Sequence, residues 1–250
     1  MTARITPGQG KQLVRFCEDG IVGLNLEKGG AQRVIMQGDA FQTRLKEMIL
    51  ELASTFFIPV KDVNVPSIHH PSLSKYRAGA RQHPDPVLDT TPLCYRVIKG
   101  YTLKEHAPKA GPCHDNFQYL QNWNFKDDPT QDCLVFWIPR LVLGSTAKTV
   151  DEQKVHLAGF RQRLDLPSHH CSSFGSAALL SGLVLAHYKA TGEQVPLNGL
   201  WTRTDSCFAG GNRLGLDWSS GTLCCAFWGW GVGRSGSIGC FALGVETLGS

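Results

Sequence analysis

The chain has 250 residues, 42% hydrophobic and 18% charged, a balance that supports a buried core and excludes a wholly disordered chain. Its longest nearly uncharged apolar run, 177–186, is about half of a bilayer span, and the polar, Gly/Pro-bearing stretch 1–11 lacks the apolar core of a secretory leader, so a cytoplasmic protein with no membrane partner is expected. The net charge of +4 is uneven: residues 1–163 hold 21 basic and 16 acidic side chains, residues 164–250 only 4 and 5, so the last third reads as interior.

Thr6-Pro7 suits the start of a helix that Gly20 ends. Asp39 with Gln42 forms a capping box, and Phe41, Leu45, Met48, Ile49 and Leu52 then recur on one helical face. A strand is predicted over 56–65. Pro66, Pro71, Pro84, Pro86 and Pro92 predict an irregular excursion over 66–92, because proline lacks an N–H and restricts its predecessor. Strand character is expected again over 93–104, followed by a loop-rich region over 105–131.

The run CLVFWIPRLVL (133–143) reads as a buried strand bent at Pro139. Thr149 and Glu152 form a capping box for a helix to about Leu164. Ser172 or Ser173 is the expected cap of the next helix, which reaches Lys189 and stops at Gly192. Its Gly175, Ser176, Ala177, Ala178, Ser181 and Gly182 would let a neighbouring backbone come close, so it is expected to be buried. Four short strands follow, over 200–206, 213–218, 222–228 and 237–243, joined by Gly-rich turns. The fold class is therefore α+β: N-terminal helices, a loop-rich middle, and a buried small-residue helix on a C-terminal antiparallel meander. One globular domain over 1–250 is expected, with a possible subdivision near residue 165.

Two glycine motifs are discounted. Gly231-Val232-Gly233-Arg234-Ser235-Gly236 precedes a strand rather than the helix a dinucleotide fingerprint needs. Gly144-Ser145-Thr146-Ala147-Lys148-Thr149 lacks the glycine before its lysine. His69-His70 with His83, Cys113-His114 and His169-His170-Cys171 could suggest a metal. However, adjacent residues on a strand or helix face different ways and no zinc-site spacing appears, so no metal and no cofactor are expected. The nine cysteines are odd in number and include no C-x-x-C pair, which fits free thiols in a reducing compartment.

Two functional readings arise. Between Lys75 and Lys126, eight basic residues face four acidic ones, interleaved with aromatics. Arg77, Arg81, Arg96, Lys99, Tyr101, Lys104 and Trp123 are the candidates for contact with phosphates and bases, or with a protein partner. The first reading is thus a non-catalytic binding module for a nucleic-acid or protein partner, with oligomeric state open. The alternative is a thiol-dependent hydrolase or transferase in which Cys171 lies at a helix N-terminus, His170 is the base and Asp205 the orienter. A structural subunit of a larger assembly would also account for aromatic loops.

Overall fold

The computed structural model describes residues 55–60, 71–84, 91–208, 211–227 and 235–248, all within the compact unit Thr55–Ser250. In chain order the elements are β1 (Phe57–Pro59), α1 (Pro71–Arg81), β2 (Cys94–Val97), α2 (Leu103–Ala110), a 3-10 helix (Asp115–Asn122), β3 (Cys133–Leu141), α3 (Val150–Arg163), α4 (Ala177–Thr191), β4 (Trp201–Cys207), β5 (Arg213–Ser219), β6 (Thr222–Phe227), β7 (Ile238–Gly239) and β8 (Phe241–Thr247). The helices expected before residue 53 lie outside the described residues, as do 61–65 of the first predicted strand and most of the 231–236 glycine motif.

β1, β2, β3 and β8 form one antiparallel sheet in that spatial order. Alternate side chains enter two different cores. Tyr95, Val97, Val135, Trp137, Phe241 and Leu243 join one, and Cys94, Phe136, Ile138, Cys240 and Ala242 join the other. A strand buried on both faces has no polar side to show, which is why β3 reads as continuous apolar sequence. Pro139 falls where the β3–β8 register shifts between Trp137 and Leu141, at the interruption its missing N–H requires.

The loop-rich middle is more helical than expected. Pro71 opens α1 at the first helical position, where an N–H would have no partner in the helix, and no further proline occurs before Pro84. The strand predicted over 93–104 ends at Val97 and the chain turns at Gly100 (φ 111°), after which the Asp127 carboxylate accepts from Leu103 N (3.0 Å) and Lys104 N (2.8 Å). A side chain 23 residues downstream of Lys104 thus caps α2 and holds these amides out of a ladder.

α3 has the predicted capping box: Glu152 N donates to Thr149 Oγ1 (3.2 Å) and Thr149 N to Glu152 Oε2 (2.8 Å). Thr149→Ala should lower stability by about 1 kcal/mol in urea denaturation. α4 is capped by Ser176 rather than Ser172 or Ser173. The Asp205 carboxylate accepts from Phe174 N and Gly175 N, and Ser206 Oγ from Ala177 N. These side chains from β4 take the amides that an earlier helix start would have used. At its other end, Gly192 adopts the left-handed conformation (φ 74°) and donates to Tyr188 O. α4 is buried from Ala177 to Leu185 and packs on β1, α2, β4 and β5.

β4, β5 and β6 form the antiparallel meander, which with buried α4 establishes the α+β class. The fourth predicted strand divides. β7 pairs with β4 in parallel, and the chain then enters the first sheet as β8. Cys240 N donates to Ser145 Oγ (3.2 Å) and Cys240 O accepts from Val142 N (2.9 Å), which fixes the transfer between sheets. Behind it, fully buried Arg203 donates from Nε to Gln153 Oε1 (2.8 Å), while Gln153 donates to Ser145 O and Ile238 O. No described helix is long and apolar enough to cross a membrane.

Candidate functional site

The residues predicted to contact nucleic acid differ in their surroundings. Tyr101 is 2% exposed, edge-on to Phe56 and Phe57, and accepts a hydrogen bond from Ser181 Oγ. It is a core residue rather than a stacking platform, in the same apolar cluster as Tyr95 and Val97. Lys104 donates from Nζ to Trp123 O (3.0 Å) and lies over the Phe125 ring, while half-buried Trp123 packs on Phe208. These two residues pin a loop. Arg96 and Lys99 are exposed near the end of β2, and Arg77 and Arg81 lie one turn apart on α1.

A cleft of about 70 Å³ lies beside α1, with walls supplied by β3 and α3. Its apolar lining is Ile138, Leu141, Val142, Leu143 and Phe160. Its polar lining is Gln82, His83, Arg140 and Arg163, with no carboxylate among the lining residues. Gly79 allows the walls to meet, since a Cβ there would stand 2.6 Å from Leu164 Cδ1 and 3.1 Å from Phe160 Cζ. Leu143 is 53% exposed at this edge. Of the predicted basic residues, only Arg77 and Arg81 belong to an element that borders the cleft.

The second site surrounds Cys171. Residues 167–172 form a turn: His170 N donates to Pro167 O (2.9 Å), Cys171 N to Leu243 O (2.6 Å) and Ser172 Oγ to His169 O (2.6 Å). Cys171 has φ 51°, and it stands six positions before α4, outside the reach of that helix's dipole. It is 2% exposed, and burial pushes its thiol up to about 11 despite smaller opposing effects from the Tyr76 hydroxyl, the Leu243 backbone and Arg161. The thiol is therefore protonated at neutral pH. The helix N-terminus expected to favour a thiolate lies elsewhere, at Ser176.

His170 is fully buried and packs against both the Tyr76 and Phe136 rings, which also touch each other. Its Nε2 is 3.0 Å from Glu246 Oε1, and its Nδ1 is 3.4 Å from Tyr76 Oη, which also reaches Cys171 Sγ at 3.9 Å. Burial, with Cys171 beside it, drives the Tyr76 hydroxyl well above the usual tyrosine range. The carboxylate that orients the imidazole is thus Glu246. Asp205 instead receives Arg213 Nη1 (3.0 Å) along with the Phe174 and Gly175 amides.

Glu246 and Tyr76 are the residues that reading along the chain missed. A signal for Glu246 existed in the alternation Ala242, Gly244, Glu246 on one face of β8: two small residues lead to a carboxylate. At Gly244 a Cβ would lie 2.3 Å from His170 Nδ1, so the missing side chain makes room for the ring. Compared with protein-family models, with curated proteins and with solved structures, the chain matches none, and the chemistry of these two sites is what bears on function.

Proposed function

We propose that the chain is a non-catalytic binding module whose partner is a protein segment carrying acidic side chains beside apolar ones, received at the cleft between α1, β3 and α3. The observation that carries this reading is the cleft lining: five apolar side chains beside two arginines and a histidine, without a carboxylate. Guanidinium forks match carboxylates, and apolar walls beside them select a neighbouring Leu- or Phe-like side chain. A protein partner is favoured over single-stranded nucleic acid because Tyr76, Tyr95 and Tyr101 are buried and cannot offer faces to bases. A cytoplasmic, reducing setting is part of the same reading. The eight described cysteines form no disulfide, which supports it.

The test is peptide display selection on the immobilised chain, with Arg163→Glu as counter-target. Arg163 is exposed, so reversing its charge spares the core. Enriched peptides should pair Asp or Glu with a large apolar residue. They should bind Arg163→Glu roughly tenfold more weakly, about 1.4 kcal/mol, and weaken as salt rises. Selection of the same peptides by both proteins would refute the reading. Tight, salt-sensitive binding of a labelled single-stranded oligonucleotide with no peptide enrichment would replace it with the nucleic-acid alternative.

A further inference from the structure

We propose that His169, His170 and Glu246 form a binding site for a divalent transition metal ion of the zinc class, with three protein ligands and one position open to water. Each residue offers a ligand atom, and these atoms lie within 4.8 Å of one another. The expectation that adjacent histidines cannot share an ion holds for strands and helices. Residues 167–172 are a turn, and there the two rings stand 4.6 Å apart at 88°.

The geometry of the buried pair suits coordination. Two ligand atoms each about 2.0–2.1 Å from one ion are separated by roughly 3.0–3.4 Å, and His170 Nε2 and Glu246 Oε1 are 3.0 Å apart. Exposed His169 closes the remaining distance by rotating its side chain and marks the side from which an ion enters. Two imidazoles and a carboxylate form a donor set suited to zinc-class ions rather than calcium or magnesium, which prefer all-oxygen shells.

The surroundings of His170 match what a metal-bound histidine requires. When Nε2 holds the ion, Nδ1 carries the proton and needs an acceptor. Tyr76 Oη is at 3.4 Å, and its own hydrogen can turn toward Cys171 Sγ. Without an ion, the opposite tautomer donates from Nε2 to Glu246 and accepts from Tyr76. Loading the site therefore needs a change of His170 tautomer and a turn of the Tyr76 hydroxyl, while the ring stays packed against Phe136 and Tyr76 in the space over Gly244.

The experiment is titration of the chelator-stripped, reduced full chain with Zn²⁺ against a chromophoric chelator, and with Co²⁺ followed by visible absorption. One equivalent should bind. The Co²⁺ spectrum should show ligand-field bands without intense sulfur-to-metal charge transfer, which separates this site from adventitious cysteine ligation. His169→Ala removes an exposed side chain and Glu246→Gln keeps a hydrogen-bonding shape, so both should stay folded. Each should weaken binding by at least about 100-fold, since each removes one of three protein ligands. Tyr76→Phe should weaken it by roughly 10–100-fold as a positioning residue. Absence of saturable one-equivalent binding, unchanged affinity in both ligand variants, or a thiolate-dominated Co²⁺ spectrum would each overturn the assignment.

Discussion

Gly182→Ala should cost about 2–3 kcal/mol of stability, a large effect for one added methyl group. Gly182 lies in the middle of α4, where alanine would ordinarily favour the helix by about 1 kcal/mol. Here a Cβ would stand 1.9 Å from Cζ and 2.0 Å from Cε2 of Phe57, whose side chain is 7% exposed and packed in the larger core. The aromatic ring is rigid and enclosed, so either β1 or α4 must shift. Overpacking of this kind outweighs the gain in propensity.

Urea denaturation measures the loss, and the double variant with Phe57→Ala identifies its cause. Phe57→Ala alone leaves a cavity and is destabilising, yet it removes the atoms that the new methyl strikes. The two changes should therefore be less than additive by more than about 1 kcal/mol. Strict additivity would mean that Gly182 is needed for some reason other than contact with Phe57. Gly192→Ala is a useful comparison. Its φ is 74° and nothing lies within 4 Å of a Cβ there, so only backbone strain of about 1–2 kcal/mol is expected.

The second large effect concerns acid stability. His187, on α4, is 4% exposed and edge-on to Trp137. Its Nδ1 has no hydrogen-bond partner among the described residues. Burial, with Arg140 adding a smaller repulsion, lowers its pKa from 6.5 to about 4. Between these values the unfolded chain binds a proton that the folded chain refuses, so stability rises with pH across this window. The contribution is fully present above pH 6.5, is lost as pH falls, and levels off below pH 4. Its full size is about 3 kcal/mol.

His187→Phe should remove this component. Denaturation at pH 7, 6, 5 and 4 should show wild type losing about 3 kcal/mol relative to the variant across the series, with most of the divergence between pH 6 and 4. Parallel slopes would show that His187 titrates normally and is reached by water. Carboxylates protonating over the same range affect both proteins alike and cancel in the difference.

The features legible in the sequence share a physical character: their partners lie within a few residues. The α3 capping box needs only Thr149 and Glu152, three positions apart. The αL stop at Gly192 is a property of one residue's missing Cβ. The burial of α4 follows from the ten successive apolar or small residues 177–186, and the two-sided burial of β3 follows from its apolar run 133–139. The meander β4–β5–β6 rests on short turns between neighbours. For each of these, local composition specifies the free-energy minimum without knowledge of the rest of the chain.

Other features depend on groups that chain order separates widely. α2 starts at Leu103, where Asp127 captures its first amides, and α4 starts at Ala177, where Ser206 takes the first amide and Asp205 those of Phe174 and Gly175 before it. Tyr101 is inward because Phe56 and Phe57, over forty positions earlier, and Ser181, eighty positions later, close around its ring and hydroxyl. Glu246 meets His170 across 76 positions because β8 leaves the meander and crosses to β3. The sequence by itself determined which segments were apolar, capped or punctuated, since those preferences act over one or two turns of chain. Tertiary structure alone decided which carboxylate reaches which imidazole, because a hydrogen bond or a shared ion depends on separation in space, and sheet pairing brings together groups that chain order keeps apart.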